Sequence, residues 1–198
     1  MRLERLEATQ RPEKLKAVFD GETLTVSASL CVKFSLCAGM ELDEEAFSAL
    51  KAAVAKEAAR ERAVRILTAS AVSERELEKR LVQKGTLPAD AADAVAWLKE
   101  HRFVDDAATA AQLVDSAVRK GYGRARVKNI LYEKGIPKNL WDEALARIPA
   151  MDDAIDRFLA AKLRGRTADE KTIKKTIDAL LRRGFSYGEI RDALRRYE

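Results

Sequence analysis

Side chains able to grip an anion are the densest chemical resource of this 198-residue chain. Between positions 119 and 138, Arg119, Lys120, Arg124, Arg126, Lys128, Lys134 and Lys138 surround Gly121-Tyr122-Gly123, and Glu133 is the only acid of the stretch. A second group, Lys171, Lys174, Lys175, Arg182, Arg183, Arg191, Arg195 and Arg196, is interleaved with Phe185, Tyr187 and Tyr197. Ammonium and guanidinium groups placed in this way neutralise phosphates or acidic protein surface, and rings among them can stack on bases. The candidate partner- or DNA-contacting residues are therefore Arg119, Lys120, Arg124, Arg126, Lys128, Lys134, Lys174, Lys175, Arg182, Arg183, Arg191 and Arg195. For Phe185 and Tyr187 the preferred reading is hydrophobic closure of the turn after Gly184, because an apolar residue commonly packs there when a glycine ends a helix.

Other chemistry lacks the residues it needs. His101 is the only histidine, placed where a predicted helix ends, and no nucleophile or carboxylate spacing builds a triad around it. Gly121-Tyr122-Gly123 is not followed by the lysine and hydroxyl of a phosphate loop. Asp105-Asp106 and Asp152-Asp153 each open a predicted helix, where carboxylates favour the positive end, and are read as capping charges in preference to magnesium ligands. Cys31 and Cys37 lie among Leu30, Val32, Phe34 and Leu36 without further zinc ligands, which makes them small core residues. No catalytic, metal or cofactor site is expected, and the chain is not expected to be an enzyme.

The formal net charge is +5, unevenly distributed. Residues 1–118 carry 17 Lys and Arg against 20 Asp and Glu, a net −3, whereas residues 119–198 carry 20 against 12, a net +8. That asymmetry suggests an acidic partner surface or a phosphate backbone. No run of 18 apolar residues and no apolar leader is present, so a cytoplasmic protein without membrane contact is expected. Nothing in the sequence requires a dimer, and a monomer is expected.

The elements that must position the cations repeat. Leu81, Gly85 and Asp93-Ala94-Val95 return as Leu131, Gly135 and Glu143-Ala144-Leu145, and again as Leu180, Gly184 and Asp192-Ala193-Leu194. The glycines lie 50 and then 49 residues apart, a period that signals a helical repeat array. Before each stands Lys84, Lys134 or Arg183, a cation suited to a last helical turn, and the glycine then supplies the left-handed backbone that ends the helix. A second helix follows with its Ala and Leu or Val inward and its acid in solvent. Upstream, Ala63, Ile66 and Leu67, then Ala110, Leu113, Val114 and Ala117, then Ile155, Phe158, Leu159 and Leu163, mark a third helix per repeat. The expected fold is mostly α: three tandem three-helix repeats forming an elongated curved array.

The first 40 residues differ. Leu3 to Gln10, Lys14 to Asp20 and Glu22 to Val26 alternate apolar and polar residues around Arg11-Pro12 and Asp20-Gly21, predicting a small antiparallel sheet. Ser27 is placed to cap a short helix, and Leu42-Asp43-Glu44-Glu45 opens a long one to about Ser70. That helix pairs Glu57 with Glu61 and Lys56 with Arg60 at four-residue spacing, so its middle reads as a solvated connector. Ser73-Glu74-Arg75-Glu76, Thr167-Ala168-Asp169-Glu170 and Ser186-Tyr187-Gly188-Glu189 fit the capping box. The expected divisions are a β-hairpin and short-helix element over 1–42 and helical repeats over 43–104, 105–149 and 150–198.

Three stretches together resemble the RecX family of recombination regulators. These are Ser73-Glu74-Arg75-Glu76-Leu77 with Leu81 and Gly85; Phe103-Val104-Asp105-Asp106 with Gly121 to Val127 and Leu131 to Ile136; and Leu180 to Ser186 with Ile190. The resemblance runs from about Ala63 to the C-terminus. It implies a protein that binds the RecA filament and modulates it, mainly by inhibiting its ATPase, strand exchange and filament growth. A rival class is a stand-alone DNA-binding protein, because helical hairpins with short glycine turns resemble helix-turn-helix units and could hold single- or double-stranded DNA. Against that class, Asp93, Glu143 and Asp192 make the second helices a poor recognition surface.

Overall fold

The computed structural model describes residues 1–163 and 169–197. Its N-terminal sheet has three antiparallel strands in the order β1-β2-β3: β1 (Leu3–Ala8), β2 (Lys14–Phe19) and β3 (Glu22–Ser27). The Asp20-Gly21 turn joins the last two in register, Phe19 opposite Glu22, with Gly21 at φ +80°. Ten α-helices follow among the described residues: α1 (Ala28–Lys33), α2 (Glu44–Ala69), α3 (Glu74–Gln83), α4 (Pro88–Glu100), α5 (Asp106–Arg119), α6 (Arg124–Glu133), α7 (Trp141–Ala146), α8 (Asp152–Leu163), α9 (Glu170–Arg182) and α10 (Tyr187–Tyr197). The mostly helical architecture with a small sheet in front is the one the sequence predicts.

The chain divides into two compact units, one of Met1–Ala69 with Glu78–His101, the other of Ser70–Leu77 with Arg102–Glu198. In the first, the sheet closes over α2: Leu3, Ala17, Phe19 and Val26 pack with Leu36, Leu42, Phe47 and Leu50. Phe19 and Phe47 meet edge to face at 4.9 Å. Further along α2, Ala59 and Ala63 are buried, as are Ala91 and Ala94 of α4, and such small side chains let the two backbones approach. Ser27 caps α1 by accepting from the Leu30 amide at 3.2 Å, and Asp43 caps α2 by accepting from Ala46 at 2.7 Å.

The middle of α2 is no solvated connector. Glu57 and Glu61 both hold the ammonium of Lys14, a residue buried at 8% exposure. Lys56 and Arg60 both hold Asp93 of α4, at 2.9 and 3.1 Å. Like charges four apart repel on an isolated helix; here each doublet shares one opposite charge from another element. Asp93 is consequently not left in solvent, and its carboxyl is held below the ordinary range chiefly by the Lys56 hydrogen bond, with Arg60 helping.

The repeats fold alike because one turn chemistry recurs. After α3, α6 and α9 the amides of Gly85, Gly135 and Gly184 donate to the carbonyls of Val82, Tyr132 and Leu181 at 2.9, 3.0 and 2.9 Å. The next amides, of Thr86, Ile136 and Phe185, donate to Leu81, Leu131 and Leu180 at 3.0, 3.0 and 3.2 Å. This paired closure satisfies helix-end carbonyls and requires the left-handed glycine. Leu81, Leu131 and Leu180 are fully buried, and the residue after each glycine is buried too. Ala110, Val114, Val127, Leu131, Ile136 and Leu145 form the core of the α5–α7 bundle; Ile155, Leu159, Leu180, Phe185, Ile190 and Ala193 form that of α8–α10.

Helix starts follow the sequence with one change. Ser186 and Glu189 form the expected reciprocal box, at 2.7 and 3.2 Å, and Ser73 accepts from Glu76 at 3.2 Å. For α9 the cap is Asp169, which accepts from the Thr172 amide at 3.1 Å; Thr167 and Ala168 lie outside the described residues, as does the side chain of Tyr197.

Candidate functional site

Within the second unit the middle helices of successive repeats meet end to start. Gly123, at the start of α6, donates its amide to the Arg183 carbonyl at 2.9 Å, and Ala125 donates to Gly184 at 3.1 Å. Free amides of one helix start thereby satisfy free carbonyls of another helix end, and the dipoles align head to tail. The approach leaves no room for side chains: a Cβ on Gly123 would lie 2.4 Å from the Gly184 oxygen, and one on Gly184 2.2 Å from the Arg126 nitrogen. A second joint has the same plan. The Ser73 hydroxyl donates to the Lys134 carbonyl, and the Glu74 amide donates to the Asp106 carboxylate at 2.9 Å, so the end of α6 faces the first turn of α3. Asp105 meanwhile caps α5, accepting from Ala107 and Ala108 at 2.8 and 3.0 Å.

The twelve candidate cations divide on this frame. Arg183 is held by its own chain: one guanidinium nitrogen donates to the Lys120 carbonyl at 3.1 Å, and its carbon sits 4.9 Å from the Phe158 ring centroid and 6.0 Å from that of Tyr122. Arg124 donates to the Leu145 carbonyl at the end of α7, at 3.2 Å. Arg126 pairs with Glu133 at 3.5 Å, and Lys134 is half-buried at the second joint. Arg191 pairs loosely with its neighbour Asp192 at 3.7 Å. Arg119, Lys120, Lys128, Lys174, Lys175, Arg182 and Arg195 are exposed and make no ion pair among the described residues. On α9 the cations Lys171, Lys174, Lys175 and Arg182 fall on one exposed face. Arg196 is paired twice, with Asp152 at 3.1 Å and Asp156 at 3.0 Å, and the Asp156 hydrogen bond chiefly raises its already high pKa.

Aromatics divide as well. Phe185 is buried in the third bundle, as turn closure requires, whereas Tyr187 is 61% exposed and does not close it. Tyr132 is more exposed still, on the face of α6 that carries Lys128 and Asn129. Among the described residues no cluster of His, Cys, Asp and Glu could hold a metal ion, and no helix is long and apolar enough to cross a membrane.

Three family models match in order along the chain: the first RecX three-helix domain over residues 59–98, the second over 105–145 and the third over 152–194. The chain is 33% identical over 153 residues to the regulatory protein RecX of Cronobacter sakazakii, covering 70% of this chain and 91% of that protein. The chain belongs to the RecX family. The RecX protein of Vibrio campbellii is 30% identical over 137 residues, covering 68% of this chain and 88% of its own length. A crystal structure of regulatory protein RecX superposes with a TM-score of 0.72 at 23% identity, covering 96% of this chain and 98% of that one. RecX from Lactobacillus salivarius gives 0.61 at 19% identity over 73% and 97%. The RecX relatives are named regulatory proteins.

Sequence reasoning missed the joints. Gly123 stands at a helix start where Ser, Thr, Asp or Asn is usual, which is the signal that another backbone comes close. Asp106, expected to cap its own helix, serves the first turn of α3 from 32 residues away, and no local pattern marks that.

Proposed function

We propose that this RecX family member binds the RecA nucleoprotein filament and lowers its ATP turnover, strand exchange and growth. The observation that carries the reading is a set of exposed cations that make no ion pair among the described residues: Arg119, Lys120, Lys128, Lys174, Lys175, Arg182 and Arg195. Arg124, Arg126, Arg183 and Arg191 belong to the candidate set but have partners within the chain, and Lys134 is half-buried, so the free residues dominate the contact. Acidic RecA surface and the enclosed single strand both suit such cations, and repeated modules can touch more than one protomer, adding avidity. The protein acts without cofactor or catalysis of its own, in the cytoplasm, as a monomer.

The test is RecA ATP turnover on single-stranded DNA with this protein present at substoichiometric amounts. A fall in turnover is expected; unchanged turnover across a titration defeats the proposal. The stand-alone DNA reading is separated by comparing naked with RecA-coated single strands over a salt series. Equal or tighter binding to the naked strand, with affinity falling steeply in salt, favours DNA alone.

A further inference from the structure

The three glycine turns are chemically alike but differently covered. A Cβ on Gly184 would strike the Arg126 backbone at 2.2 Å, and one on Gly135 would meet the Arg75 Cβ and Cδ at 3.3 Å. A Cβ on Gly85 would meet nothing within 4 Å. The turn thus faces a helix start twice and open space once. Lys84, Gly85, Leu87 and Pro88 are all exposed, Leu87 at 68%. The carbonyls of Lys134, Arg183 and Gly184 each accept a hydrogen bond from a docked helix start; no such donor among the described residues reaches Lys84 or Gly85.

We propose that the Gly85 turn is a docking site for the first turn of a helix on a protein partner. The two filled joints show the shape of the plug: a hydroxyl donor, as on Ser73, or backbone amides, as at Gly123 and Ala125, with an arginine of the docked first turn, Arg75 or Arg126, packed against the glycine. Charge agrees, since the carbonyl end of α3 is a negative pole and a helix start a positive one. Lys84 stands where Arg183 stands in the third repeat, and Arg183 grips the Lys120 carbonyl just ahead of the docked helix. The open ammonium of Lys84 is therefore placed for a carbonyl or carboxylate preceding the partner's helix. A second copy of this chain offers no matching middle helix. The starts of α3 and α6 are already occupied, and α9 begins ten residues before its buried leucine instead of seven, with Asp169 capping it. The site rests on the filament reading above, and the plug is a helix start on a RecA protomer.

Two variants test it by co-sedimentation with RecA-coated single-stranded DNA, with folding checked by thermal melting. Gly85→Asn keeps a residue tolerant of left-handed backbone and fills the open space; Leu87→Glu leaves the glycine intact and adds a charge beside it. Wild type is expected to sediment with the filament, and both variants to lose at least about threefold in affinity. A smaller loss in either overturns the docking site while leaving filament binding standing. Absence of wild-type binding overturns the filament reading and the site with it. A photo-crosslinker replacing Leu87 should map to the first turn of a RecA helix; mapping to any other element overturns the assignment.

Discussion

Arg183 and Lys174 are both cations of the third repeat, yet their side chains do different work. The Arg183 guanidinium is held by the Lys120 carbonyl and the Phe158 and Tyr122 rings. Arg183→Ala removes a charged hydrogen bond and two cation–ring contacts, and should lower stability by about 2 kcal/mol, measured by urea unfolding. Lys174 is exposed and makes no ion pair among the described residues, so Lys174→Glu with Lys175→Glu should leave stability within about 0.5 kcal/mol while weakening filament binding. Asp93 gives a pH signature. Its folded pKa is lowered by Lys56 and Arg60, so its contribution is complete above the unfolded carboxyl pKa and disappears as pH falls through the lower folded value. Asp93→Asn should therefore cost about 1 kcal/mol at pH 7. The gap to wild type should narrow in melts taken as pH falls through that lowered folded value.

The glycine turn is the element on which the repeats depend, and its three copies separate two reasons for glycine. At Gly85 only the left-handed backbone, φ +82°, demands it. Gly85→Ala should cost about 1–2 kcal/mol. At Gly184 the same backbone, φ +90°, adds a collision with the Arg126 main chain, and Gly184→Ala should cost ~4 kcal/mol or more. Equal costs in chemical unfolding would show that the close approach is not rigid. The turns themselves were legible, because Leu81, Gly85 and their counterparts recur at constant spacing with a cation before each glycine. The sheet was legible for a similar reason: alternation along Lys14 to Phe19 and the Asp20-Gly21 pair are local signals. The joint between Gly123 and Gly184 was not, since its partners stand 61 residues apart and leave no period in either segment. The doublets of α2 lay between these cases. Their repulsion was visible in Glu57 with Glu61 and Lys56 with Arg60, but the shared counter-charges, Lys14 and Asp93, come from other elements.

At the scale of the molecule, charge separates into a portion that holds the fold and a portion left for a partner. The pairs at Arg147 with Asp115 and Arg196 with Asp152 and Asp156 occupy cations of the basic half, so the 20 Lys and Arg of residues 119–198 overstate what is available for binding. Reversing Lys128, Lys174 and Arg182 together should abolish inhibition of RecA ATP turnover at low salt without shifting the melting temperature. Retained inhibition would move the contact to another face. The candidate residues were legible as a composition, but not as a surface, because the sequence does not tell which arginines the backbone carbonyls and rings claim for themselves.

The end-to-start joints also give the protein a direction of growth. Repeat two receives a glycine turn at its Gly123 helix start and presents a glycine turn of its own at Gly135, so it carries both halves of a joint. Repeat three presents Gly184, while its own middle helix is sealed at the front by Asp169. A duplicate of residues 105–149 spliced between the second and third repeats would find both mates waiting. The same module appended at the C-terminus would find none. Lengthened versions of this protein are therefore to be built from the inside.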